Sequence, residues 1–280
     1  MSRKDLIMIQ TAWQREWRFI DSGSNDAFTN MALDEAILQA HEKGMTPPTL
    51  RVYGWTSAAL SVGYFQSIAK DIDEEKCLEN RIQVVRRITG GRSVFHQDEL
   101  TYSVVASGSY GFPQHLIGAY KAVNQGLIAA YRILGLDVEL APHRGNSSAS
   151  ACFNAASFGD LTCQGRKIAG SAQFRRGDVF LQHGSLPISL DARLFFSLLR
   201  FPSSSSRERA QAMFDHRATC LNDMLGRSVS RLEQKEALFQ GFQEAFGIRF
   251  YVDTLSSYEV NLGRALAAEK YNNSAWLSAG

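Results

Sequence analysis

The chain has 280 residues, 45% of them hydrophobic and 21% charged, a composition that supports a folded protein with a sizeable core and excludes intrinsic disorder. Its 30 Lys and Arg against 28 Asp and Glu leave a net charge of +2 and neither sign forms a run of five, so the electrostatic footprint of a nucleic-acid binder is missing. The N-terminus makes a poor secretory signal, no apolar stretch approaches a membrane span, and the four cysteines (Cys77, Cys152, Cys163, Cys220) form no CxxC pair, which together lead to the expectation of free thiols in the cytoplasm.

Residues 17–22 read as a strand running into a capped helix over 26–43, where Leu33, Ala36, Ile37 and Ala40 recur at helical spacing. Gly44 and Pro47-Pro48 stop that helix, and the alternation of Leu50/Val52 and Leu60/Val62 predicts two strands. An acidic short helix over 71–80 follows, then strands at 82–87, 93–97 and 100–107 around Gly90-Gly91. Leu116, Tyr120, Val123, Leu127, Tyr131 and Leu134 share one face of a helix that ends at Gly135. Residues 143–157 are small and polar apart from Cys152 and Phe153, so a weakly ordering loop is expected there. Strand-like segments at 160–164, 166–174 and 178–189, divided by Gln164-Gly165 and Arg176-Gly177, suggest successive hairpins. Ser203–Ser206 reads as a loop, Leu238, Phe242, Ala245 and Phe246 as a helix face ended by Gly247, 248–252 as a strand and 256–270 as a closing helix. Adjacent hairpins argue for an α+β fold in which helices cover a mostly antiparallel sheet, built as one large domain.

Several chemistries lack an anchor: there is no GxxxxGK[ST], no GxGxxG opening a helix, no GxSxG, and none of the six histidines lies at zinc spacing, so no metal site is expected. Three segments remain. In 86–103, Gly90-Gly91 flanked by Arg86, Arg87 and Arg92 is either an ordinary hairpin turn or a backbone shaped for close approach to a ligand, with guanidinium groups at hand for an anion. Free cysteines are most often small buried hydrophobes, and Cys77, Cys163 and Cys220 sit in helix or strand patterns where that reading holds; Cys152 lies in a small-residue segment able to present a thiol. In 165–174, strand alternation puts Lys167 and Ala169 on one face and Arg166, Ile168 and Gly170 on the other, so Lys167 is either a solvated edge lysine or one turned inward toward a ligand.

Taken together, RRITGGRSVFHQDELTYSV, SACFNAASFGDLT and GRKIAGSAQFRRGDVFLQHGS resemble the lipoate protein ligase and octanoyltransferase superfamily, and within it the cysteine-bearing LipM type of octanoyltransferase. The resemblance extends upstream through WRFIDSG, NMALDEA and RVYGWTSAALSVGYFQ and weakly downstream to EKYNNSAW. It implies a biotin/lipoate ligase-type catalytic domain over 44–250, with 1–43 and 251–280 packed as extensions of the same domain. Gly90-Gly91-Arg92 in place of a triple glycine, Cys152 within SACF, and an end without room for an accessory domain favour the transferase over the ATP-using ligase, whereas Lys167 belongs to both branches. HQDEL in place of HDQEL, and Asn154 and Ala156 where Asp and Pro are expected, are small departures.

Carried over residue by residue, the resemblance makes Cys152 the acyl-thioester nucleophile and Lys167 the group that lowers its pKa, since a nearby ammonium favours a thiolate that otherwise forms near pH 8.5. Arg87, Gly90, Gly91, Arg92, His96, Gly170 and Ser171 would line the acyl pocket. The implied reaction carries octanoyl from acyl carrier protein to Cys152 and on to a lysine of a lipoyl domain, by resemblance the glycine cleavage H protein. A thioester is already activated, so no cofactor, ATP or metal is required. Two alternatives stay open: an ATP-dependent lipoate ligase, and a non-catalytic acyl-binding regulator.

Overall fold

The computed structural model describes residues 16–141 and 160–279. The loop expected over 143–157, and Cys152 with it, lies outside the described residues.

The strands are β1 (Trp17–Asn25), β2 (Thr49–Trp55), β3 (Ala59–Val62), β4 (Gln83–Arg86), β5 (Val94–His96), β6 (Glu99–Ser107), β7 (Glu139–Leu140), β8 (Leu161–Cys163), β9 (Arg166–Arg176), β10 (Val179–Pro187) and β11 (Phe250–Val252). Eight form one sheet in the order β11-β1-β2-β6-β10-β9-β8-β7, and β4-β3-β5 form a second. In the large sheet only the pairings of β1 with β2 and β11 are parallel. The physical reason is the connection: α1 (Ala27–Glu42) carries the chain back between β1 and β2, whereas β9 and β10 meet at the tight turn around Gly177, which only antiparallel strands can use. The α+β, mostly antiparallel expectation holds.

Helix α1 begins where Asp26 accepts hydrogen bonds from the backbone N–H groups of Phe28 and Thr29. It is buried along most of its length, and Asn30, Asp34 and Glu35 among its polar residues face protein and not water. Helix α2 (Glu74–Glu79) matches the acidic segment, and α3 (Leu116–Ile133) follows, with Gly135 at φ +90 beyond its end. Helix α4 (Ser204–Arg217) corrects the serine loop: Ser203 caps it by accepting from the Ser206 N–H, and the remaining serines form its first turn. Helix α5 (Arg231–Phe246) packs on α3, and the crossing is close because Gly126 sits against the Phe242 ring and Gly241 against the Ala130 backbone, where an added Cβ would stand 2.8 and 2.4 Å away. Helix α6 (Ser257–Leu266) opens with a Ser256/Glu259 capping box and passes into a π turn over 267–271, so the predicted closing helix is broken near its end. Helix α7 (Ser274–Leu277) ends the described chain.

Strand alternation sends β6 two ways. Leu100, Tyr102, Val104 and Ala106 join the core under α3 and α5, while Val105 joins a second core under α1. Thr101 and Ser103 share the α1 face and are just as buried. Hydroxyls inside a sheet that could have been lined with valine mark the polar ground from which the site is built.

Candidate active site

A cavity lies between the α1 face of the large sheet and the small sheet. The large sheet contributes Tyr53, Thr101, Gly170, Ser171, His183 and Ser185; the small sheet and its turns contribute Ser61, Arg87, Val94 and His96; α1 contributes Met31. Eight of these carry polar side chains, yet their polar atoms are bonded to each other or to Asp34, Thr89, Glu99 and Tyr102 behind the wall, which leaves the space able to receive an apolar chain.

Asp34, on α1, accepts from Arg51 Nη1 at 2.7 Å, Ser103 Oγ at 2.7 Å, Tyr53 Oη at 2.9 Å and His183 Nδ1 at 2.9 Å. Burial would raise its carboxyl, but the Arg51 guanidinium and the bonds from His183 and Ser103 reverse that and hold it below the usual carboxylate range. Glu99 is held low in the same way, burial being overcome by His96 and by bonds from Ser185 and Thr101. It accepts from His96 Nδ1 at 2.8 Å and Trp55 Nε1 at 3.1 Å, and the Trp55 ring stacks on His96 with centroids 4.1 Å apart. Burial pushes His183 below the ordinary histidine value despite Asp34, so this ring is neutral at pH 7.

Arg87 is buried and grips the glycine turn. Its Nη2 donates to the carbonyls of Gly90 at 2.9 Å and Arg92 at 2.7 Å, and its Nη1 to the Ser61 carbonyl at 3.0 Å. Gly91 has φ +93, and a Cβ on the facing Gly63 would stand 2.0 Å from the Gly91 carbonyl oxygen, so the two backbones meet at a distance only glycine allows. Arg86 turns the other way. It donates to the carbonyls of Gly63, Tyr64 and Gln66 and to Trp276 and Leu277, tying α7 to the loop after β3, so both guanidiniums of the pair hold backbone.

Of the predicted residues, Arg87, His96, Gly170 and Ser171 line the cavity together. Gly90, Gly91 and Arg92 form the turn beside it, joined to it where the Gly90 and Arg92 carbonyls accept from Arg87. The Ser171 hydroxyl pairs with Tyr102 Oη at 2.8 Å; burial pushes that phenol up to about 12, so it stays protonated and can donate. Lys167 is not a solvated edge lysine: it is 2% exposed and donates to Asp160 at 2.7 Å. The simple alternation expected for its strand also fails. A register shift opposite Leu161 and Thr162 places a bulge at Ile168, so that Ile168 and Ala169, assigned to opposite faces, join one apolar cluster. Lys167 is absent from the cavity wall and sits instead beside Asp160, the first described residue after the segment holding Cys152. Cys77, Cys163 and Cys220 are buried free thiols, and burial raises all three, Cys77 and Cys220 to about 11.

Sequence reasoning assigned no role to Asp34, Ser61, Thr89, Glu99 or His183. A signal was present: Asp34 stands in a helix otherwise rich in apolar residues, and Thr101, Ser103, His183 and Ser185 recur at every second position of strands too apolar to be exposed.

Residues 26–243 match the family described as lipoyl protein ligase A/B catalytic domain. The chain is 43% identical over 270 residues to octanoyltransferase LipM of Geobacillus kaustophilus, covering 93% of this chain and 97% of that protein. It is 41% identical over 269 residues to octanoyltransferase LipM of Bacillus subtilis, with the same coverage, 93% and 97%. Among solved structures, a bi-partite lipoate protein ligase from Thermoplasma acidophilum is similar with a TM-score of 0.82 at 27% identity, covering 95% of this chain and 97% of that one. A lipoate-protein ligase A bound with ATP gives 0.77 at 27% identity, with 95% and 99% covered.

Proposed function

From the premise that this chain belongs to the lipoyl protein ligase A/B catalytic domain family, we propose the route by which it acts: a cysteine-bound octanoyl thioester, formed and discharged beside the Arg87–His96–Gly170 cavity. It is an octanoyltransferase of lipoate biosynthesis, an acyltransferase as its relatives at about 40% identity are named.

In the first half-reaction the Cys152 thiolate attacks the carbonyl of octanoyl-acyl carrier protein, the bond to the carrier sulfur breaks, and the carrier leaves as a thiol. In the second, the ε-amine of a lysine on a lipoyl domain, the glycine cleavage H protein being the expected one, attacks the new thioester; an amide forms and the Cys152 sulfur is released. The whole chain acts as one catalytic domain. Lys167 supplies positive charge near the attacking sulfur, with Asp160 as its counter-ion. The cavity carries the reading: the polar side chains of its walls already have partners in each other and in Asp34, Thr89, Glu99 and Tyr102 behind them, so an acyl chain laid against them strands no donor or acceptor.

Intact-mass spectrometry of the full chain mixed with octanoyl-acyl carrier protein tests this. An octanoyl adduct on the parent protein, lost in Cys152→Ser and formed without ATP, is expected. No adduct from octanoyl-acyl carrier protein, with transfer from free octanoate that requires ATP, points to the ligase route; an adduct that survives Cys152→Ser overturns the cysteine assignment, and reversible binding without adduct or transfer points to a regulator.

A further inference from the structure

Arg87 stands at the head of two parallel hydrogen-bond chains that end on different buried carboxylates. In one, Arg87 Nε reaches Thr89 Oγ1 at 3.1 Å, Thr89 Oγ1 reaches His183 Nε2 at 2.8 Å, and His183 Nδ1 reaches Asp34 at 2.9 Å. In the other, Arg87 Nη1 reaches Ser61 Oγ at 3.1 Å, Ser61 Oγ reaches His96 Nε2 at 2.8 Å, and His96 Nδ1 reaches Glu99 at 2.8 Å. The direction of every proton follows from valence. A carboxylate only accepts, so each Nδ1 donates; the neutral His183 ring then has Nε2 free to accept, so Thr89 donates to it, and both hydroxyls accept from the guanidinium, which only donates.

We propose that Thr89–His183–Asp34 and Ser61–His96–Glu99 are positioning devices that fix Arg87, and through it the Gly90–Arg92 turn, in the place the acyl thioester requires. The inference rests on the thioester route proposed above. Four donors saturate Asp34, so its orientation is fixed by α1, β2, β6 and β10 together, and what it fixes in turn is the ring of His183. Thr89 is fully buried and absent from the wall of this cavity, so its hydroxyl stands behind the lining and acts on it through Arg87 and His183. Beyond these chains and its bond to the Ser61 carbonyl, Arg87 holds the turn through the Gly90 and Arg92 carbonyls. An arginine released from one chain can rotate about its long stem, and the turn it carries moves with it.

The experiment uses the full chain and octanoyl-pantetheine as acyl donor, with Cys152 acylation followed by intact mass, Cys152 alkylation by iodoacetamide, and hydrogen exchange of the peptide spanning Gly90–Arg92. Thr89→Val removes the hydroxyl at constant shape; it should acylate about tenfold more slowly and exchange faster at the turn, with alkylation unchanged. Thr89→Ser keeps the hydroxyl and should return both readouts to within about threefold of the parent. Acylation and exchange in Thr89→Val within about twofold of the parent overturn the proposal, as does a Thr89→Ser variant as impaired as Thr89→Val. Should Thr89→Val fail to fold, Ser61→Ala breaks the second chain alone: slower acylation with faster exchange at the turn supports the device, and parental values for both overturn it. A parent protein that forms no adduct refutes the cysteine route instead, and the exchange readout then decides the positioning role by itself.

Discussion

At the scale of single residues, the thiols divide by what surrounds them. Cys77, Cys163 and Cys220 are buried and pushed up in pKa, which keeps them protonated and unreactive at neutral pH. Each should tolerate Ala with octanoyl transfer kept, at a stability cost of about 1 kcal/mol or more. Cys152→Ser should abolish transfer with unchanged melting, because a neutral hydroxyl is a far weaker nucleophile; turnover above roughly a tenth of the parent rate would sink the covalent route. For Lys167 the proposed charge effect on Cys152 has to be separated from its ion pair with Asp160. Lys167→Met keeps the bulk of the stem and removes the charge, so the Cys152 alkylation profile should shift toward the unperturbed thiol value near 8.5, while labelling at about pH 10 stays as it was. The same variant removes the ammonium partner of buried Asp160 and should lose about 3 kcal/mol of stability. Adding Asp160→Asn should recover stability without restoring the labelling profile. Superimposable labelling profiles for the parent and Lys167→Met would leave the lysine a structural ion-pair partner only.

Among elements, the packing of α3 on α5 shows how strictly two helices can specify their distance. Gly241 lies so near the Ala130 backbone that a methyl there meets atoms that cannot rotate away, unlike the far end of a flexible side chain. Gly241→Ala should therefore destabilise by about 1–3 kcal/mol in chemical denaturation, even though alanine is the better helix former by about 1 kcal/mol. A neutral or stabilising result would mean that the crossing relaxes at no cost. The helix pair lies on the face of the large sheet opposite the cavity, so the folded fraction of the variant should keep its specific activity.

For the molecule as a whole, the buried polar layer between α1 and the sheets ties stability to pH. Burial lowers His183 below the ordinary value near 6.5, with Asp34 opposing and Arg87 and His96 adding to the effect. In acid the unfolded chain takes up a proton that the folded ring refuses, so this contribution is complete above about pH 6.5 and lost as the pH falls. Asp34 and Glu99, both held low, add a second loss at lower pH, as the unfolded carboxylates protonate first. Melting temperature should fall from pH 7.5 to 5.5, and the slope should flatten in His183→Gln. His41, also lowered by burial, leaves a residual slope in both proteins. Parallel curves for parent and variant would show that His183 does not couple protonation to folding.

Sequence alone determined the elements whose signals are local. The helix of 116–133 announces itself by apolar spacing and a terminal glycine and the hairpins by turn residues, whereas Arg87, His96, Gly170 and Ser171, which line the cavity, are named through the family resemblance and not by local pattern. Helix α4 was misread because serine favours loops and helix starts for the same reason, a side chain that competes for backbone hydrogen bonds, and only the chain that follows decides between them. Tertiary structure alone decided the polar site. Asp34 and His183 are 149 residues apart, and Ser61 and His96 are 35 apart. No local pattern distinguishes a buried carboxylate from a solvated one until another strand or helix brings its donors. Lys167 is the same case: its alternation gave a face, but a bulge and the approach of Asp160 decided that the ammonium is buried and paired. Local sequence sets backbone conformation through sterics and hydrogen bonds a few residues apart, whereas the charge state and orientation of these buried groups are set by partners that only folding brings near.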